Sequence, residues 1–152
     1  MCVCALQTKE QKNFTFDEIN NMMLTNPHGA GLMWNDGKSI KYRKGYFDAK
    51  KFYDDYVAIR ALPTTREIAV HARIGTGSNI DIANCHPFPI TSVNKRLKAK
   101  QGSCDVGVMM NGIIGASTKL DFKSANKQNH YTATPITINT IFIIFSLLIN
   151  IA

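Results

Sequence analysis

A regular interleaving of aromatic with basic residues is missing from this sequence, although it is rich in lysine. Among 152 residues there are 18 lysines and arginines and 11 acidic residues, a formal net charge of +7. The lysines are scattered through the segments KSIKYRKG, DAKK and NKRLKAK, which do not form a platform on which bases stack. We interpret them mainly as a solvated face and expect no nucleic-acid partner; an acidic partner surface is the alternative.

The amino terminus lacks the charged and then apolar pattern of a secretory signal peptide. We therefore expect the four cysteines to be reduced thiols in a cytoplasmic compartment. Zinc is an alternative for Cys2, Cys4, Cys85 and His86, but their spacing does not repeat a Cys-x₂₋₄-Cys pair. The sequence thus predicts neither a metal site nor a cofactor.

Internal repeats are absent, and no linker rich in proline, glycine or serine precedes the last quarter of the chain. With 45% hydrophobic and 19% charged residues, the composition is that of a globular domain. We assign this domain to residues 1–124. Residues 125–152 form a different tail, polar at first and then without any charge from residue 136 onward. The uncharged part is near the lower length limit for a membrane span, so a membrane is expected as a partner only if this tail is a real anchor.

Local patterns predict an α+β domain with hairpins and helices. MCVCALQ is typical of a short buried strand, and TFDEINNMML begins with a capping box and predicts a helix that ends before Pro27. NDGK predicts a hairpin turn between AGLMW and SIKYRKG. DAKKFYDDYVAIRAL predicts a helix with Phe52, Tyr56 and Ile59 on one face, followed by a strand REIAVHA. CDVGVMMNG is expected to be one further strand.

Arg73 lies at the end of a predicted strand and is followed by small residues and glycines, in the stretch HARIGTGSNIDIANCHPFPI. Glycines allow the backbone to approach a ligand closely. A guanidinium in such a place is suited to hold a carboxylate by two parallel hydrogen bonds. The alternative is an arginine that caps the strand through a salt bridge.

Cys2 follows only the initiator methionine. Removal of Met1 would leave a thiol beside its own α-amine, and such an amine titrates near pH 7.7–8.0. A nucleophile and a base within one residue suffice for covalent attack on an amide. Asn111 and Gly112 follow a buried apolar strand and could donate to an oxyanion, with a plain Asn-Gly turn as the alternative.

In this order, Met-Cys, HARIGTG, NCHPF and MMNGIIG resemble the class II glutamine amidotransferase domain, a member of the N-terminal-nucleophile hydrolases. The likeness extends from residue 2 to about residue 115. It implies a four-layer α/β/β/α sandwich, in which two antiparallel sheets are stacked between helices. It also implies that Cys2 is the nucleophile and that Asn111 and Gly112 form the oxyanion hole.

The same resemblance implies a pocket for glutamine. Arg73 would bind the α-carboxylate, and Thr76 and Gly77 would line the pocket, with glycine at a position where some relatives carry histidine. His71 and Asn84 would support the site. Ammonia would pass to a separate acceptor synthetase, because no synthetase domain fits into a chain of this length.

The chain departs from this family pattern in two places. Met110 stands where relatives usually carry a histidine before the Asn-Gly pair, and no aspartate follows Asp121, although relatives bind the α-amine of glutamine with one. The composition also changes abruptly near Ser124. We hypothesise truncation or a shifted reading frame there; a coding sequence with no Ser-Asp-Thr-like run in its other frames would reject this idea.

Three functions therefore remain at the level of the sequence. The first is glutamine hydrolysis by a stand-alone amidotransferase domain. The second is hydrolysis of a different amide on the same fold. The third is an inactive relative that binds a partner or is tethered to a membrane through the tail.

Overall fold

The computed structural model describes residues 2–75, 79–111 and 141–146, the last of these as backbone. Its elements, in chain order, are β1 (Val3–Thr8), α1 (Phe16–Thr25), β2 (Ala30–Asn35), β3 (Ile40–Tyr46), α2 (Ala49–Arg60), β4 (Glu67–Ala72), β5 (Phe88–Pro89), α3 (Asn94–Lys98), β6 (Gln101–Cys104), β7 (Val106–Asn111) and β8 (Ile141–Ser146). The strands pair antiparallel. The predicted α+β class with antiparallel sheets is confirmed.

The predicted helix ends and the hairpin turn are found where the local patterns place them. The Thr15 side chain accepts from the Glu18 backbone N–H, and the Glu18 carboxylate accepts from the Thr15 N–H, which completes the capping box of α1. Between β2 and β3, Asp36 Oδ1 accepts from two backbone N–H groups, and Gly37 has a φ of +85°. A positive φ at this position favours glycine.

A five-stranded sheet in the order β1-β4-β2-β3-β6 carries helices α1 and α2 on one face. The shared core on this side is apolar and includes Ile19, Leu32, Phe52, Tyr56 and Val70, each 0 or 1% exposed. The face of α2 predicted from the sequence, with Phe52, Tyr56 and Ile59, is confirmed as buried.

A second sheet, in the order β5-β7-β8, lies on the other side of the five-stranded sheet. Met109 of β7 packs there against Met33, Ile40 and Ala69. Within the described ranges the order of layers is therefore helices, first sheet and second sheet.

The prediction that CDVGVMMNG forms a single strand is wrong. The chain passes from the first sheet to the second at Asp105, the second residue of this segment. Cys104 ends β6, which pairs with β3 in the first sheet, whereas Val106 begins β7 in the second sheet. A continuous apolar run does not reveal such a crossing, since it does not show which strand each residue pairs with. The short helix α3 and the strand β5 lie in a part of the chain for which the sequence predicted only loop or no element.

Six residues of the tail, 141–146, form β8 and pair with β7, although the tail sequence does not alternate between apolar and polar residues as a half-buried strand does. The predicted domain boundary at residue 124 lies outside the described residues. No helix among the residues with assigned structure has the length and the apolar character that a bilayer crossing requires.

Candidate active site

Cys2 lies immediately before β1, beside the end of β4. The register pairs Val3 with Ala72, so Cys2 comes next to the segment that begins with Arg73. Its thiol is half-buried and donates to the carbonyl of Ile74 at 3.7 Å. The antiparallel pairing thus brings the predicted nucleophile to the predicted glutamine-binding arginine, across more than seventy residues of sequence.

Arg73 is held firmly by the loop before β2. Its backbone N–H donates to Gly29 O, and its carbonyl accepts from His28 N, both at 2.9 Å. The guanidinium, on a residue only 5% exposed, donates through Nη1 to His28 O at 3.4 Å and to Asn79 O at 3.2 Å. Two backbone carbonyls therefore orient this cation.

Gly75 allows the chain to pass close to that guanidinium. A Cβ at this position would lie 2.7 Å from Nη2 of Arg73, which no side chain would tolerate without a shift. The Gly75 N–H donates to His28 Nδ1 at 2.8 Å, so the proton of a neutral His28 ring is on Nε2. The sequence signal of glycines after Arg73 thus corresponds to a real close approach at Gly75. Thr76 and Gly77, predicted to line the glutamine pocket, lie outside the described residues.

Asn84 organises the loop that follows. Its backbone N–H and its side-chain amide both contact Asp81 Oδ1, at 2.8 and 3.0 Å, and Nδ2 also donates to Asn79 O at 3.3 Å. Since Asn79 O accepts from Arg73 as well, Asn84 and Arg73 share one anchor. This is the arrangement of a residue that supports the arginine.

His71 and His86 lie between the two sheets and pack against each other, with ring centroids 4.5 Å apart and ring planes tilted by 40°. His71 Nε2 is 3.1 Å from the carbonyl of Met110. Burial lowers the pKa of His71 to about 4, although this carbonyl opposes the shift. Burial also lowers the pKa of His86 well below its usual value, with the neighbouring His71 adding to the effect. Both rings are therefore neutral at pH 7.

Lys44 is the polar residue of this region that sequence reasoning missed, and its interpretation as part of a solvated face is wrong. It is fully buried, and Nζ donates to Leu97 O at 2.7 Å and to Ala83 O at 3.2 Å. Nζ also lies 4.4 Å from the ring centroid of Phe88. Burial lowers the pKa of Lys44 to about 8.

A signal for this burial was present in β3. Ile40, Tyr42 and Lys44 alternate along the strand and are all buried, as residues on one face of a strand must be if that face is covered. The number of lysines in KSIKYRKG concealed the alternation.

Asn111 ends β7 and is half-buried, one residue after the Met110 carbonyl that His71 contacts. Strand β7 also contacts β1, which begins just after Cys2. The predicted oxyanion donor thus ends a strand that packs on the strand of the predicted nucleophile. Gly112 and Asp121 lie outside the described residues.

The other cysteines differ from Cys2 in their surroundings. Burial, with Cys2 nearby as a smaller cause, raises the pKa of Cys4 to about 12, so this thiol stays protonated. Cys85 and Cys104 are buried, as is Trp34. In the ranges that the structure describes, no three side chains of His, Cys, Asp or Glu are grouped so that they could hold a metal ion.

The chain shows no match to any protein-family model, curated protein or solved structure with which it was compared. Its function must therefore be inferred from the residues and from their arrangement. The arrangement offers a half-buried thiol, a buried and oriented guanidinium, and a strand end with an amide side chain.

Proposed function

We propose that this protein is a glutamine amidotransferase domain of the N-terminal-nucleophile type, which hydrolyses the side-chain amide of glutamine. The observation that supports this best is the pairing of β1 with β4, with the Cys2 thiol 3.7 Å from the carbonyl that follows Arg73. In this proposal, the nucleophile therefore lies beside the segment that carries the arginine for the substrate carboxylate. The complete four-layer sandwich, with a second helical layer outside β5-β7-β8, is part of this proposal.

In the proposed reaction, Met1 is removed and the freed α-amine of Cys2 takes the thiol proton. The thiolate attacks the side-chain carbonyl carbon of glutamine, and the resulting oxyanion accepts hydrogen bonds from the Asn111 amide and the Gly112 N–H. The amine returns the proton to the leaving nitrogen, and the C–N bond breaks to release ammonia. Water then cleaves the thioester, which gives glutamate and restores the thiol.

Arg73 would bind the α-carboxylate of glutamine in this scheme. One charge-assisted contact contributes about 1.5–3 kcal/mol, and the carbonyls of His28 and Asn79 would keep the guanidinium in place for it. The ammonia would be used by a separate acceptor enzyme in the cytoplasm. No metal or cofactor takes part in the scheme.

The deciding experiment is the intact mass of the full chain before and after exposure to a diazo-ketone analogue of glutamine. The Cys2 sulfur would displace N₂ from the diazomethyl carbon and form a thioether, so one adduct is expected on the chain that has lost Met1. Cys2→Ala should abolish the adduct, whereas Cys4→Ala, which removes the thiol two residues away, should retain it. A folded, Met1-free chain that forms no adduct would contradict the proposal.

The role of Arg73 is tested by comparing Arg73→Lys with Arg66→Lys, an exposed arginine next to the same strand. Lysine keeps the charge but loses the two-pronged geometry. We expect slower adduct formation and a KM for glutamine raised at least tenfold in Arg73→Lys, corresponding to about 1.4 kcal/mol. Equal behaviour of both variants would assign Arg73 to the structure of the loop alone.

An inactive relative that binds a partner is the second candidate. The hydrogen bonds from the Arg73 guanidinium to two backbone carbonyls favour it, because they explain a buried arginine without any substrate. The adduct experiment separates the two candidates.

A further inference from the structure

Strand β7 has more carbonyls on one edge than its partner β5 can use. β5 spans only Phe88–Pro89, and beyond it the N–H of Ile90 donates to Val106 O at 2.9 Å. Carbonyls two residues further along a strand point in the same direction. Val108 O, opposite Phe88 of β5, and then Met110 O, beyond the end of β5, are thus the next acceptors on this edge, toward Asn111.

A histidine ring occupies the position that a longer β5 would have filled. The His71 ring, from β4 of the first sheet, has Nε2 3.1 Å from Met110 O. The His86 ring, two residues before β5, packs against His71 with ring centroids 4.5 Å apart and against Phe88 of β5 at 4.6 Å. Because a carbonyl only accepts, the N–H of the neutral His71 ring must be on Nε2.

Burial of these two histidine rings would only destabilise the fold if they served merely to fill space. With the proton on Nε2, Nδ1 is an acceptor, and the Nδ1 atoms of both His71 and His86 are buried without a hydrogen-bond partner among the described residues. An unsatisfied buried polar atom is destabilising. An apolar residue of similar size would avoid this cost, so the contact of His71 Nε2 with Met110 O is the feature that an apolar residue could not supply.

We infer that His71, with the His86 ring packed against it, is a positioning residue that holds the Asn111 end of β7 against the first sheet in place of a longer partner strand. The inference rests on the proposed function, because it assigns these rings the task of fixing the oxyanion donor relative to Cys2. Neither ring touches the reacting atoms in this scheme. Their neutral state at pH 7 fits a donor that brings no charge into the site.

The test compares His71→Leu, which removes the donor, with His71→Gln, whose amide N–H reaches the same carbonyl. Hydrogen exchange of the full chain, read by mass spectrometry on a peptide covering 106–111, should accelerate at least tenfold in His71→Leu. The same peptide in His71→Gln should stay close to wild type. A peptide covering 30–35 in β2 serves as the control for global unfolding. Should His71→Leu not fold, His71→Asn, whose shorter amide does not reach Met110, replaces it.

The kinetic part measures glutamine hydrolysis. A displaced oxyanion donor should lower kcat roughly 100-fold in His71→Leu with KM unchanged, and Gln should restore most of kcat. Unchanged exchange of 106–111 in His71→Leu, or equal loss in the Leu and Gln variants, would overturn the inference. If wild type neither forms the diazo-ketone adduct nor hydrolyses glutamine, the proposed function fails, and the exchange comparison still decides whether the rings hold β7.

Discussion

The two faces of the five-stranded sheet are both buried, yet they differ in chemistry. The face toward α1 and α2 packs a continuous apolar cluster that includes Leu32, Phe52 and Val70. The face toward β7 has a smaller apolar cluster, and buried charged or polar side chains such as Lys44 and His71 accompany it. The same strands supply both faces, because successive side chains alternate between them.

This difference indicates that the two sides contribute differently to the stability of the protein. Apolar burial is the dominant stabilising term in folding, and most of it lies on the helix side. The space between the sheets instead holds cations and neutral imidazoles at the cost of desolvation. The first side is therefore expected to respond mainly to lost volume, and the second mainly to changes of charge.

The largest effect is expected from Phe52→Ala on the helix side. Phe52 is fully buried and packs edge-on against Tyr46, with ring centroids 5.1 Å apart. Truncation should lower the free energy of unfolding by about 3–5 kcal/mol, as measured by urea denaturation. Leu24→Ala, at a site 68% exposed on α1, should change it by no more than about 0.5 kcal/mol. Similar losses in both variants would refute the assignment of the main core to this side.

Acid should weaken the side between the sheets. The pKa of His71 falls from 6.5 in the ordinary state to about 4 in the fold, so between these pH values the unfolded chain binds the proton and the folded chain does not. Stability therefore falls as pH drops from 6.5 to 4, by up to about 3 kcal/mol for His71, and His86 acts in the same direction.

Urea denaturation at several pH values of wild type and His71→Gln measures this effect. Protonation of the carboxylates of Glu18 and Asp36, whose pKa values are lowered in the fold, also reduces the stability of the protein in acid. This contribution is the same in wild type and in the Gln variant. The Gln variant should show a shallower decline between pH 6.5 and 4. Identical slopes would mean that the ring is not desolvated as described.

Lys44 should produce the corresponding effect in base. The pKa of Lys44 is about 8 in the fold, against 10.5 ordinarily. As the pH rises, the folded chain therefore loses this proton at a lower pH than the unfolded chain. Stability should then rise between pH 8 and 10.5, by at most about 3 kcal/mol. Lys44→Met removes this rise, whereas Lys41→Met, three residues earlier on β3 with a side chain 40% exposed, retains it. A rise that persists in Lys44→Met would have another origin.

The smallest effect is expected at the cap of α1, on the outer helical layer. Thr15→Ala removes the acceptor for the Glu18 N–H and should lower the free energy of unfolding by about 1 kcal/mol. Thr15→Ser keeps the acceptor and should remain near wild type in thermal or urea unfolding. Because the cap is remote from the space between the sheets, the diazo-ketone adduct should form equally fast in both variants. A slower adduct in Thr15→Ala alone would show that the two sides are coupled.

Predictions from the sequence succeeded where the cause of the structure is local. Thr15 and Glu18 lie within one turn, and a few adjacent residues define the turn at Gly37. They failed where two distant segments decide the outcome. No local sequence pattern indicates that the chain passes between the sheets at Asp105 or that the His71 ring packs on His86. Each depends on which strand becomes the neighbour.

For the candidate site, the residues were named from the sequence, but their relationships were not. Cys2, Arg73 and Asn111 were candidates by residue type and by the order of motifs. Only the register of β1 on β4 brings Cys2 to the Arg73 segment, and only the packing of β7 on the first sheet brings the Asn111 end to His71.

By itself the sequence determined the helix caps, the hairpin turn, the apolar face of α2 and the kinds of chemistry available to the site. These follow from contacts between residues close in the chain and from the residue types, which folding does not alter. The tertiary structure alone decided that Lys44 is buried, that the His71 and His86 rings pack together, and that His71 lies against Met110 of β7. The physical reason is that desolvation and strand pairing act between segments remote in sequence, so their effect exists only once both sheets are in contact.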